Sequence, residues 1–180
     1  MKRIDSRSQR FVALVAVGVA VLAGAACEQT KEQRKAADAL LPPAMEKAVR
    51  DSFPGAELAR LEVDEDAGIK IYDVELKADR GEIEVADDGT ILEISTVVQM
   101  TDLPKPAAGA IQKAAADAQA EIRKIEKSET RAEVVKEQGE GKIVRLTPPR
   151  YTYEVDFLKD GKAGEIEVAP DGTIIEPLKW

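Results

Sequence analysis

Apolar and charged residues alternate strictly in several stretches of this chain. Ile83 and Val85 stand between Glu82 and Glu84, and Ile166 and Val168 follow Glu165 and Glu167 in the same rhythm. A period of two is that of a strand with one dry and one wet face. The alternation also runs through Tyr72, Val74 and Leu76 against Asp73 and Glu75, and through Tyr151, Tyr153, Val155 and Phe157. Two other stretches are spaced as helices. Met45, Ala48, Val49 and Phe53 mark one buried face, and Ala107, Ala110, Ile111, Ala114 and Ala118 another. Leu41-Pro42-Pro43 opens the first helix, since a first turn tolerates proline, and Phe53-Pro54-Gly55 closes it. Thr101 or Asp102 is the expected cap of the second, over 106–118.

The pattern occurs twice because the sequence does. Gly81 to Glu93 and Gly164 to Glu176 agree at all but two of thirteen positions, Asp87 against Pro170 and Leu92 against Ile175. Self-similarity of this kind decides the architecture before any single element does. Each copy ends its first strand in a turn built around Asp-Gly, at Asp88-Gly89 and Asp171-Gly172, and so predicts a hairpin. Strand-like segments at Leu58, Leu61 and Val63, at Tyr72 to Leu76 and at Ile91 to Val98 complete the first unit as a helix and four strands. The second unit repeats it with one change. The offset between matched positions grows from 64 (Leu61 to Ile125) to 81 (Tyr72 to Tyr153), an insertion of about seventeen residues within 126–146. Glu137 to Lys142 reads as the tip of a long protruding hairpin, and Pro148-Pro149 as a bend after it.

The expected fold is α+β, two tandem repeats of a helix plus a four-stranded antiparallel sheet, with the helices packed on one sheet face. Residues 1–26 read as an export signal: a basic start, an apolar run from Phe11 to Ala23 too short to span a bilayer comfortably, then small residues. Cys27 follows those small residues, which resembles a bacterial lipobox where the thiol is lipidated; the alternative is ordinary cleavage after a small-x-small site, leaving a free thiol. Residues 27–40 are a charged tether, 41–100 the first repeat, and 101–180 the second.

Composition narrows the chemistry. The chain has no histidine and a single cysteine, which excludes an internal disulfide, a Cys/His zinc site and a His-dependent triad. Beyond residue 26 there are 22 basic and 33 acidic residues, net −11. Such a surface repels nucleic acid and anionic lipid, so no nucleic-acid partner is expected, and it favours basic partners or cations.

Leu41-Pro42, Phe53-Pro54-Gly55, Tyr72-Asp73-Val74 and Asp88-Gly89, with Leu103-Pro104, Tyr153-Glu154-Val155 and Asp171-Gly172, carry a resemblance to the PepSY-like family, grouped with the β-lactamase inhibitor protein fold. It spans nearly all of the chain after the leader, and its signatures are structural punctuation. The resemblance implies a non-enzymatic, exported binding or inhibitory module, with a protein partner such as an envelope hydrolase or peptidase and membrane attachment through the lipid anchor. The chain departs from the β-lactamase inhibitors in holding only 4% aromatic residues and no disulfide.

Candidate contact residues are Asp88 and Asp171 at the hairpin turns and Glu137, Glu140 and Lys142 at the long tip. Turn chemistry alone is the competing account of the two aspartates. Tyr72, Tyr151, Tyr153 and Phe157 are expected in the core. The ladders Glu82/Glu84 and Glu165/Glu167 point to solvent, where weak pKa tuning argues against acid–base catalysis. No cofactor is expected, and no loop has calcium-ligand spacing. The alternative function is an acidic, divalent-cation-binding or sensory envelope protein.

Overall fold

The computed structural model describes residues 41–180 apart from Gln138. The signal, the tether and Cys27 fall outside the described residues. Helix α1 (Pro43–Ser52) is followed by strands β1 (Leu58–Asp66), β2 (Ile69–Leu76), β3 (Glu82–Ala86) and β4 (Ile91–Val97). Helix α2 (Lys105–Ala118) precedes β5 (Glu121–Glu137), β6 (Glu140–Lys159), β7 (Lys162–Val168) and β8 (Ile174–Lys179). All neighbouring strands are antiparallel, and the order across the sheet is the order in sequence. The two units therefore form one eight-stranded sheet, joined where Val97 lies opposite Glu126 and Glu93 opposite Thr130.

Both helices cover the same face. Met45, Val49 and Phe53 of α1 pack on Val74, Leu76, Ile83 and Val85, and Ala107 and Ile111 of α2 pack on Val155, Phe157, Ile166 and Val168. These are matched residues of matched strands, so the duplication extends to the cores. The alanine-rich α2 buries little side chain, and bulk is supplied instead by Phe157 and Tyr153 from the sheet beneath. Tyr72 and Tyr151 are only half-buried, and the Lys127 ammonium sits 4.6 Å from the Tyr151 ring centroid.

The start of α2 departs from expectation. Its N-cap is Pro104, with no side-chain cap, whereas Asp102 caps a separate single turn at 100–102 by accepting from the Gln99 N–H at 3.0 Å. Proline supplies the preset φ there, which removes the need for Thr101 or Asp102 at the helix itself.

The repeated Asp-Gly turns lock each hairpin to its helix. Gly89 has φ +84 and lies where an added Cβ would meet the Ala44 side chain at 3.1 Å; Gly172 has φ +87 and lies where an added Cβ would meet the Pro106 carbonyl oxygen at 2.7 Å. In a left-handed turn pressed against a helix start, a side chain at Gly172 would collide with backbone and one at Gly89 would crowd the Ala44 methyl.

Candidate functional site

The sheet face opposite the helices holds the polar half of the alternation, and the register brings its carboxylates together. Asp73 stands opposite Glu84 and Glu75 opposite Glu82. Glu84 in turn faces Glu93. In the second unit Glu126 faces Glu154, Glu154 faces Glu167 and Asp156 faces Glu165. Like charges directly opposite on adjacent strands are destabilising. Carboxylate oxygens of Asp73, Glu82 and Glu84 lie within 4.8 Å of one another, and so do those of Glu154, Asp156 and Glu165. Asp73, Glu82, Glu84, Glu154 and Asp156 are half-buried, whereas Glu165 is exposed.

Cations offset part of this repulsion. Arg60 bonds Glu75 and Glu62, each at 3.1 Å, and Lys124 reaches Glu126 at 2.9 Å. Burial works against the Lys124 ammonium, but the hydrogen bond to Glu126 and the charges of Asp156 and Glu154 outweigh it and raise its pKa. Burial raises the pKa of Asp156, with Lys124 pulling it partly back. A shallow polar cleft lies between Arg60, Glu75, Glu82, Lys124 and Glu126, across the seam of the two units.

The middle of this face is closed by hydroxyls. Ser95 Oγ and Ser128 Oγ are 3.0 Å apart, and Glu93 accepts from Ser95 and Thr130 at 3.2 Å each. Glu93, Ser95, Ser128, Thr130 and Thr152 are all buried. Nothing in the sequence pattern distinguished these positions from the exposed ladder. The one available signal was that serine and threonine replace glutamate at the seam.

At one end the β5–β6 hairpin does not protrude as expected. Ala132, Val134 and Ile143 pack on Ile69, Ile71, Ala86 and Leu92, which belong to the helix-free face of the first unit. The Gly141 N–H donates to the Ala67 carbonyl at 2.9 Å, clipping the tip to the β1–β2 turn. The reason is physical. Beyond Thr130 the ribbon carries small and aliphatic residues that would otherwise stay wet, and a four-residue bulge at 146–149 opposite Arg131 lets it bend over.

The candidate residues at turns and tip have separate locations. Asp88 Oδ1 accepts from the Thr90 N–H at 2.7 Å and Asp171 Oδ1 from the Thr173 N–H at 2.9 Å. Those bonds from Thr173 lower the Asp171 pKa. Both aspartates are thus engaged in turn chemistry, on exposed loops of different units. Glu137 and Lys142 pair across the tip at 3.5 Å, with Glu140 exposed beside them.

Fold and site together define an α+β chain of two fused units, with helices on one face and a carboxylate-lined face opposite. No protein-family profile and no curated protein matches the chain. Among solved structures, it is similar to a BLIP-like protein from Bacteroides fragilis at 14% identity and a TM-score of 0.48, over 80% of this chain and 90% of that one. It is also similar to a DUF2874 family protein from Bacteroides uniformis, at 12% identity and 0.49, over 78% and 89%. A DUF2874 family protein from Bacteroides ovatus aligns at 10% and 0.48, over 78% and 87%.

Proposed function

We propose that this chain is an exported, non-enzymatic binding module, lipid-anchored at Cys27, that contacts a protein of the cell envelope and restrains a hydrolase or peptidase there. One observation carries the reading: carboxylates stand opposite carboxylates, in both units, on the sheet face that no helix among the described residues covers. A fold keeps a locally unfavourable arrangement where function uses it, and a basic partner surface converts that repulsion into attraction. The exposed charges of Asp88, Asp171, Glu137, Glu140 and Lys142 are peripheral contacts in this reading.

The test is affinity capture from an envelope extract with the mature chain, beside a variant carrying Glu82→Lys, Glu84→Lys, Glu165→Lys and Glu167→Lys. Saturable capture of an enzyme whose turnover falls on binding, lost in the variant, is the expected result. Capture indifferent to the reversal, or none that saturates, sinks the proposal. The second reading, divalent-cation binding, draws on the Asp73/Glu82/Glu84 cluster, whose oxygens approach one another closely enough to share an ion. The Lys124 ammonium already neutralises part of the matching cluster. Calorimetry with calcium separates the two, since micromolar binding abolished by Glu84→Gln belongs only to the cation reading.

A further inference from the structure

Hydrogen-bond direction along β2 decides what β1 offers to solvent. The Leu76 N–H donates to the Gly81 carbonyl at 2.9 Å, and the Lys70 carbonyl accepts from the Asp87 N–H at 3.0 Å. Even-numbered residues of β2 therefore face β3, and odd-numbered ones face β1. The partners of those odd residues are Arg60, Glu62, Asp64 and Asp66. Their backbone groups are turned toward β2, so those of Leu61, Val63 and Glu65 point away from the sheet. β1 is its outermost strand, and no strand lies beyond it among the described residues. Successive outward N–H and C=O groups on a regular strand form a template for another extended chain.

The opposite edge is built differently. β8 contains Pro177, and its register with β7 shifts twice, between Glu165 and Glu167 and between Glu167 and Val168. Proline and bulges blunt an edge. From Arg60 to Asp66, β1 has neither. The seam between the units shows how such an edge is occupied. β5 is the counterpart of β1, Ile125 standing for Leu61, and it receives β4 on the corresponding side, with the Val98 N–H donating to the Ile125 carbonyl at 2.9 Å.

Charge selects the occupant. Glu62, Asp64 and Asp66 line one face of β1, with Arg60 at its start bonded to Glu62 at 3.1 Å, so the face stays net acidic; Glu65 and Val63, the latter 55% exposed, lie on the other. A second copy is a poor fit. β1 against β1 sets acids against acids, and β8 against β1 in the seam register sets Glu176 against Asp66, with Pro177 where a donor is needed. We propose that β1 binds an extended basic segment of a partner protein by strand addition, lysine or arginine facing Glu62, Asp64 and Asp66, and an aliphatic residue beside Val63. The proposal rests on the protein-binding reading above and adds the partner's conformation and charge.

The probe is a nine-residue peptide alternating lysine with valine, titrated into the full mature chain and followed by amide hydrogen exchange. New protection at Leu61, Val63 and Glu65 is expected. Val63→Pro removes only an outward donor, so it should weaken binding at least about tenfold while leaving the unfolding midpoint nearly unchanged. The same peptide with alternate N-methyl groups keeps its charge and should not bind. Equal binding of the N-methylated peptide, or protection confined to the carboxylate face, would overturn strand addition. So would protection of those three amides without peptide, which would mean the chain occupies its own edge. Failure at β1 leaves capture through the carboxylate face untouched, so the two proposals fail separately.

Discussion

Alanine substituted at glycine reports how tightly the repeated turns are tied to their helices. Gly161 has φ +77 with nothing within 4 Å of an added Cβ. Gly161→Ala therefore costs only the left-handed backbone penalty, about 1 kcal/mol. Gly89→Ala adds a contact at 3.1 Å with the Ala44 methyl, and Gly172→Ala one at 2.7 Å with the Pro106 carbonyl oxygen, which cannot swing aside. Overpacking costs about 1–3 kcal/mol, so Gly172→Ala should lose about 2–4 kcal/mol in all and Gly89→Ala less. Gly81 is the extreme case, with φ +121 and an added Cβ only 2.0 Å from the Ser95 carbonyl oxygen. Its alanine variant should lose more than any of the others and fold poorly. Urea titration reads the series. With a slope near 2 kcal/mol/M, Gly161→Ala should lower the midpoint by about 0.5 M and Gly172→Ala by about 1.5 M. Equal shifts for all would refute the packing of these turns against the helices.

The duplication supplies further matched comparisons. Leu92→Ala should cost about 2–4 kcal/mol, because Leu92 is buried beneath the long hairpin, whereas Ile175→Ala, at the matched and 46% exposed position, should cost less than about 1. Urea melts decide, and equal losses would mean that the hairpin does not dock. Glu93→Ala should cost about 1–3 kcal/mol by removing the acceptor of two buried hydroxyls. Asp156 has a folded-state pKa above its ordinary value, so its charge opposes folding at neutral pH, and that cost fades as pH falls through the raised value. Asp156→Asn should therefore stabilise the chain at pH 7 and leave it unchanged at pH 3; an equal gain at both would refute the assignment.

Much of the fold could be read from spacing. Strand alternation separated Ile83 and Val85 from Glu82 and Glu84, the Phe53-Pro54-Gly55 stop ended α1, and the duplication predicted matched cores. Alternation says which residues share a face, not what covers that face. For that reason the burial of Ile71 and Leu92 on the polar side went unread: it depends on where residues 132–143 fold back. The seam was equally hidden, since the pairing of β4 with β5 joins segments separated by a whole helix. Of the candidate site, the glutamate ladders were legible as the polar face, but not that Glu82, Glu84 and Glu167 are half-buried there. Their mutual opposition was not, because it needs the register between strands. Asp88 and Asp171 carried a strong motif whose strength comes from turn geometry, as their hydrogen bonds to Thr90 and Thr173 now make plain.

Native-state hydrogen exchange at the seam addresses the continuity of the sheet, on which the single carboxylate face depends. The Val98 amide donates to Ile125 across the junction of the two units. If β4 and β5 are paired in one cooperative sheet, that amide should exchange only with global unfolding, at the same free energy as core amides of β3 and β7. Exchange at Val98 far faster than in either core, with the two units opening independently, would contradict it.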